Sequence, residues 1–282
     1  MMTDYEESVT AEEAGEGVES SPLSASASPL LANVPPTLIT YLNSPRPRST
    51  SSLLRTPPVP GADKPILLAI DTCTNRSSVA LRDGQVLRAE SSWETDRHHT
   101  AGVTAEIRRL MDACDIKAAQ VGAVAVAIGP GSFTGVRCGL AIAKGFAAAR
   151  DLPIIGVSAF DVIVSAQPNV NLPVLTLVEI GRSRIAVQRY QWHEGQPVAT
   201  GAWRILTWRE VAAIIDAPFW VCGDVPAGLM TLLGPEAVMA PAPLNLRRAG
   251  YLAETGYARW TRANVDDALT LVPIYPPEKQ PA

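Results

Sequence analysis

Ile128-Gly129-Pro130-Gly131-Ser132-Phe133-Thr134-Gly135-Val136-Arg137 is the stretch on which the reading of this chain turns. An apolar run leads into it and a helix rich in small residues leads out. Glycines on both sides of a proline let the backbone take positive φ beside a residue whose φ is fixed, which suits a sharp turn from strand to helix. Ser132 and Thr134 are placed to cap that helix, and the exposed amides of its first turn favour an anion. Turns of this kind are mostly structural, with nucleotide contact as the alternative reading.

Upstream, Val121 to Ile128 is unbroken and rich in β-branched residues, as expected for a strand covered on both faces. Downstream, the helix expected over Val136 to Arg150 carries Gly139, Ala143 and Ala147 at spacing four, with Ala141, Gly145 and Ala148 as further small positions. Glycine costs helix stability, so close approach of another helix, from this chain or from a partner, is the expected compensation.

Further upstream, Ile66 to Ile70 reads as a strand ending at Asp71-Thr72-Cys73-Thr74, and Ser78 to Leu81 as a second strand. Asp83-Gly84 then marks a hairpin turn into a third, Val86 to Glu90. A carboxylate at the end of a buried strand can hold a nucleotide phosphate and its metal, and it can equally bond local amides as a turn former. Both readings of Asp71 stand at this point. From Asp96 the period becomes helical, with Val103, Ile107, Leu110 and Cys114 on one face. His98 and His99 open that helix, but the positions one turn on are Gly102 and Val103, which gives a polar rim rather than a metal site.

Beyond the central helix, Pro153 to Val157 reads as a strand, and Ser158 and Asp161 open a helix that ends near Pro168. A second unit begins near Leu172: strands at Val174 to Val178, Ile185 to Tyr190 and Trp203 to Leu206, a helix at Trp208 to Ile215, and a strand at Phe219 to Cys222. A short helix after Gly223-Asp224 and a longer one over Leu246 to Trp260 follow, and Leu271 to Tyr275 closes the pattern. This is a weaker repeat of the first half, and the alternation of strand and helix argues a layered α/β protein.

Of 24 basic and 28 acidic residues in the 282, three arginines and seven acids fall within residues 1–61, leaving 21 of each sign in the remainder. An electroneutral body is not that of a chain that grips RNA by itself. Residues 1–61, rich in Ser, Pro and Thr with an acidic start, read as a disordered tail, or as sequence upstream of the true start. The four cysteines are scattered singly, as reduced core thiols of a cytoplasmic protein would be, and neither a secretory leader nor a membrane-length apolar run is legible.

Ile70-Asp71-Thr72 with its hairpin, Arg97 to Thr100 before an amphipathic helix, the Gly129 to Arg137 string and Gly156-Val157-Ser158 together resemble the TsaB (YeaZ) family over about residues 65 to 275. The resemblance implies an actin-like, sugar-kinase-like (ribonuclease H-like, ASKHA) α/β fold: a disordered tail at 1–61, a first lobe at 62–170 and a second, degenerate lobe at 171–282. It also implies a non-catalytic subunit of the machinery that makes threonylcarbamoyladenosine beside the anticodon of transfer RNA. Its partners would be the homologous catalytic subunit TsaD and the small ATPase TsaE, with tRNA met through the complex and a homodimer when alone.

The pairing face so implied lies on the two first-lobe helices: His99, Val103, Ile107 and Leu110 on one, Val136, Gly139, Leu140, Ala143 and Ala147 on the other. A vestigial nucleotide site would comprise Asp71, Thr72, Gly129, Gly131, Ser132 and Gly223. No metal and no cofactor are expected, with nucleotide binding at or near the TsaD interface as the alternative. Two departures from the family pattern, at Glu179 to Arg184 and at Ile274-Tyr275-Pro276-Pro277, fall outside the first-lobe helices. An ATP-dependent kinase on the same fold is the competing reading from Asp71 and the glycine turn. A metallopeptidase is the third, and the absent second histidine opposes it.

Overall fold

The computed structural model describes residues 65–94, 99–181 and 183–275. The tail expected at 1–61, Arg97-His98, Arg182 and Pro276-Pro277 lie outside them, as do the side chains at 99–101.

The meander read from the Asp83-Gly84 signal is present: β1 (Ile66–Asp71), β2 (Arg76–Asp83) and β3 (Val86–Glu94) pair antiparallel, with Gly84 at φ 54° in the turn. Helix α1 (His99–Ala113) follows, then β4 (Val121–Ala127), helix α2 (Phe133–Ala148), β5 (Ile154–Val157) and helix α3 (Ala159–Ser165). β4 pairs parallel with both β1 and β5, giving a five-stranded sheet of order β3-β2-β1-β4-β5.

The second half repeats this plan. β6 (Val174–Glu179), β7 (Ile185–His193) and β8 (Gln196–Ala199) form an antiparallel meander. After β9 (Arg204–Leu206) and helix α4 (Trp208–Ala213), strand β10 (Phe219–Gly223) joins β6 in parallel, and β11 (Ala237–Met239) joins β10. The order β8-β7-β6-β10-β11 matches the first sheet strand for strand, with β9 added against β7. This is the two-sheet, actin-like α/β arrangement expected. β8 and β11, four and three residues long, were not among the expected strands because neither carries a sustained apolar pattern.

The sheets divide the sequence near residue 170, but the helices do not follow that division. Helix α5 (Ala249–Thr261), from the second half of the chain, lies across β1, β2, β4 and β5 of the first sheet. The reason is legible in the strands: the face it covers shows Ala69, Ala80, Ala123, Ala125 and Ala127, all buried. The opposite face shows Leu68, Ile70, Leu81, Val124 and Val126 to α1 and α2. Small residues let α5 approach until Gly256 meets the sheet, where an added Cβ would stand 2.6 Å from that of Ala125. In the second sheet, Leu175, Leu177, Ile185 and Val187 pack on Val211 of α4. Among the described residues no helix is long and apolar enough to cross a membrane.

Gly256→Val is therefore expected to lower stability by about 1–3 kcal/mol through overpacking. Gly145→Ala, at an exposed helical position with nothing within 4 Å of the added carbon, should raise it by about 0.5–1 kcal/mol. Urea unfolding midpoints of the two variants, moving in opposite directions from wild type, test both.

Candidate functional site

The turn after β1 and the glycine string leading into α2 lie against each other. Ser132 N–H donates to the Cys73 carbonyl at 2.6 Å, and Thr72 Oγ1 donates to the Gly135 carbonyl at 2.6 Å. A Cβ at Gly131 would stand 2.0 Å from the Cys73 oxygen, one at Gly135 2.2 Å from the Thr72 oxygen, and one at Gly139 2.3 Å from Thr72 Oγ1. The spacing of four between Gly131, Gly135 and Gly139 thus marks the strip of α2 and its lead-in that carries the β1–β2 turn. Two donors that a phosphate would use are engaged: Ser132 N–H by Cys73, and Gly135 N–H by the capping Ser132 Oγ at 3.4 Å. Gly129 takes φ 94° and its carbonyl accepts from Ala159 N–H at 2.7 Å, tying the string to α3.

Asp71 is 1% exposed and both its oxygens are in use. Oδ1 accepts from Cys73 N–H at 2.8 Å, and Oδ2 accepts from Arg247 Nε at 3.0 Å. Arg247, 3% exposed, also donates through Nη1 to Asp224 Oδ2 at 3.2 Å and through Nη2 to Thr74 Oγ1. Burial by itself would lower the affinity of this guanidinium for its proton, but the charges of Asp71 and Asp224 outweigh that and raise it further above the usual arginine range. Gly223, at φ 106° with its place for a Cβ filled by the Leu177 carbonyl, precedes Asp224 in the same region and donates its N–H to Asn245 Oδ1. The residues expected to form a nucleotide site are brought together, and an arginine stands among them.

Arg247 was missed in the sequence, although a signal existed. Arg247-Arg248 sits at the N-terminus of α5, where the helix dipole disfavours cations. Two arginines there imply two carboxylate partners. Arg248 has its own in Glu90, with Nε to Oε2 at 3.0 Å, and Glu90 also accepts from Gly250 N–H at 3.0 Å, supplying the negative charge the helix start favours.

The expected pairing face requires correction. Val103, Ile107, Leu110, Val136, Leu140, Ala143 and Ala147 are each 5% exposed or less, Gly139 is buried, and they cover the first sheet of their own chain. A stripe at helical period marks the side turned to an apolar surface, and here that surface is β1, β2 and β4. His99 begins α1, and its side chain lies outside the described residues.

The outward side of α2 carries a different set: Phe133, 59% exposed, with Thr134, Arg137, Ala141 and Gly145 in the open and Cys138, Ile142 and Phe146 partly covered. Arg137 lies 3.5 Å over the Phe133 ring and donates from Nε to Tyr275 Oη at 2.8 Å. A groove of about 480 Å³ runs between the two helices, bordered by Thr104, Arg108 and Met111 of α1 and Ile142 and Phe146 of α2. Among the described residues no group of three or more His, Cys, Asp and Glu side chains could hold a metal.

A two-sheet fold with a G-P-G-S-F-T-G-x-R string against its first strand has known relatives. Residues 93–200 match the family model described as TsaD: tRNA N6-adenosine threonylcarbamoyltransferase. The Bacillus subtilis tRNA threonylcarbamoyladenosine biosynthesis protein TsaB is 27% identical over 160 residues, 56% of this chain and 70% of that protein. Its Escherichia coli namesake is 39% identical over 92 residues, 33% of this chain and 39% of the relative. The crystal structure of YeaZ from Pseudomonas aeruginosa superposes with a TM-score of 0.64 at 25% identity, covering 75% of this chain and 99% of that one. The chain is similar in sequence and in fold to the TsaB (YeaZ) proteins. The match with the E. coli TsaB spans less than half of that protein, whereas the likeness to YeaZ covers nearly all of that one.

Burial, and next the charge of Asp71, push the Cys73 thiol well above its ordinary range, and burial does the same for Cys222. Cys114 and Cys138 are partly exposed. In native protein at about pH 8, near the ordinary thiol pKa, a disulfide reagent should modify Cys114 and Cys138 quickly and the other two only on unfolding. Rapid modification of Cys73 would show that the β1–β2 turn opens.

Proposed function

We propose that this chain is the non-catalytic scaffold and activator subunit of the cytoplasmic complex that adds the threonylcarbamoyl group to adenosine beside the tRNA anticodon. In this reading it pairs with a TsaD-like catalytic subunit, a TsaE-like ATPase joins the pair, and tRNA is met through the complex. The names of its relatives and the TsaD-type family model support a place in threonylcarbamoyladenosine biosynthesis. The absence of catalytic equipment of its own is favoured by the position one helical turn after His99. It is Val103, fully buried against the first sheet, where a second imidazole would be needed to hold a metal.

The observation that carries the partner reading is the outward side of α2. Phe133, Ala141, Ile142, Gly145 and Phe146 leave an apolar, small-residue surface beside the groove shared with α1. Exposed alanine and glycine at spacing four admit another helix at close range, and Phe133 with its stacked arginine is the kind of aromatic and Arg anchor that concentrates binding energy. This surface replaces the buried stripe as the proposed pairing face. The same face would serve a homodimer when the chain is alone.

Ala141→Trp tests the assignment. The side chain is exposed, so the fold should be retained by circular dichroism, and affinity for the TsaD-like protein of the same organism should fall at least about tenfold, or 1.4 kcal/mol, by light scattering after size exclusion. Wild-type Cys138, on the same face, should be protected from alkylation once the partner is added. Unchanged affinity in Ala141→Trp together with unchanged Cys138 labelling would refute the face.

A further inference from the structure

Arg247 reaches four separate parts of the chain. Nε meets Asp71 at the end of β1, Nη1 meets Asp224 just after β10, Nη2 meets Thr74 in the β1–β2 turn, and its own carbonyl accepts from Ser78 Oγ of β2 at 3.2 Å. β1 belongs to the first sheet and β10 to the second, so one guanidinium bridges the strand ends of both. Asp71 and Asp224 are separated by more than 150 residues in sequence and come to one place only through this fold. Each nitrogen of the fork has a partner, and Asp71 has no oxygen left over. A fixed planar cation with directional donors satisfies two carboxylates and a hydroxyl at once, as a lysine ammonium would not.

We infer that Arg247 is the built-in occupant of this site: its guanidinium takes the place that a divalent cation with a nucleotide phosphate would fill beside Asp71, and it latches the two sheets together there. The carboxylate at the end of β1 therefore serves a structural counter-ion, and the site takes no magnesium nucleotide. The latch also reaches the proposed pairing helix by a short route. Asp71 holds Cys73 N–H, and the Cys73 carbonyl holds Ser132 N–H at the start of α2. Arg247 is in this sense a positioning residue for α2. The occupancy of the site by arginine does not depend on the partner reading, and the two fail separately.

The test uses the full chain as wild type, Arg247→Ala and Arg247→Lys, with magnesium–ATP as the nucleotide probe and methylguanidinium as the probe for a guanidinium-shaped site. Wild type should give no binding heat with magnesium–ATP at concentrations up to about 1 mM. Arg247→Ala leaves two carboxylates facing each other without a counter-ion, and its thermal midpoint should fall by about 5–15 °C. Millimolar methylguanidinium should recover part of that loss while leaving the wild-type midpoint unmoved, a response that loss of packing alone would not produce. Should Arg247→Ala fail to fold, Arg247→Lys carries the comparison: it keeps the charge, loses the fork, and should fold with a midpoint below wild type. Magnesium–ATP binding by wild type tighter than about 1 mM, a wild-type midpoint in either variant, or an equal response of wild type and Arg247→Ala to methylguanidinium would each overturn the assignment.

Discussion

The contact between the Thr72-Cys73 turn and the lead-in to α2 admits no side chain at three positions spaced four apart, and the placement of α2 on the first sheet depends on it. Hydrogen bonds from Ser132 to Cys73 and from Thr72 to Gly135 hold the surfaces together, and Gly131, Gly135 and Gly139 make room for them. The helix so positioned lays Val136, Leu140, Ala143 and Ala147 on the sheet and turns Phe133, Ala141 and Gly145 outward. A glycine-rich turn that resembles a phosphate cradle is here the consequence of backbone meeting backbone, and the amides of Ser132 and Gly135 are engaged within the chain.

On the other side of the same turn stands the charge cluster of Asp71, Arg247 and Asp224. Buried ion pairs are costly to desolvate, and they persist where all members are hydrogen-bonded and where geometry is worth more than net stability. Both conditions hold: Arg247 is 3% exposed, its donors are engaged, and the residues it joins lie on different sheets. The β1–β2 turn therefore has α2 against one flank and the second half of the chain against the other. The outward side of α2 is thus supported from behind by contacts that reach across the molecule.

The duplicated strand order has a further consequence. Each sheet needs helices over both faces, but the chain does not distribute them by halves: α5 crosses to the first sheet because that sheet offers a surface of alanines and the helix offers Gly256 to meet it. Arg247 and Arg248 stand at the start of this crossing helix, and their carboxylate partners, Asp71 and Glu90, belong to the first sheet. The same feature that fixes where α5 begins also ties the halves together.

Local chemistry was enough to establish most of the elements. The apolar run of β1, the Asp83-Gly84 turn, the cap at Ser132 and the apolar period of α1 and α2 each act within a few residues, and the structure has a strand, a hairpin, a cap and two helices there. The glycine string and the Asp71 hairpin likewise carried the resemblance to the TsaB (YeaZ) proteins. What covers an amphipathic helix is not a local property, so the stripe of Val103, Ile107 and Leu110 was assigned to a partner when it belongs to the chain's own sheet. The meeting of Asp71 with Arg247, across 176 positions, lay equally beyond sequence reading. An arginine reports its charge in the sequence, but which carboxylates it neutralises depends on where two sheets bring their strand ends, and only the tertiary structure decides that.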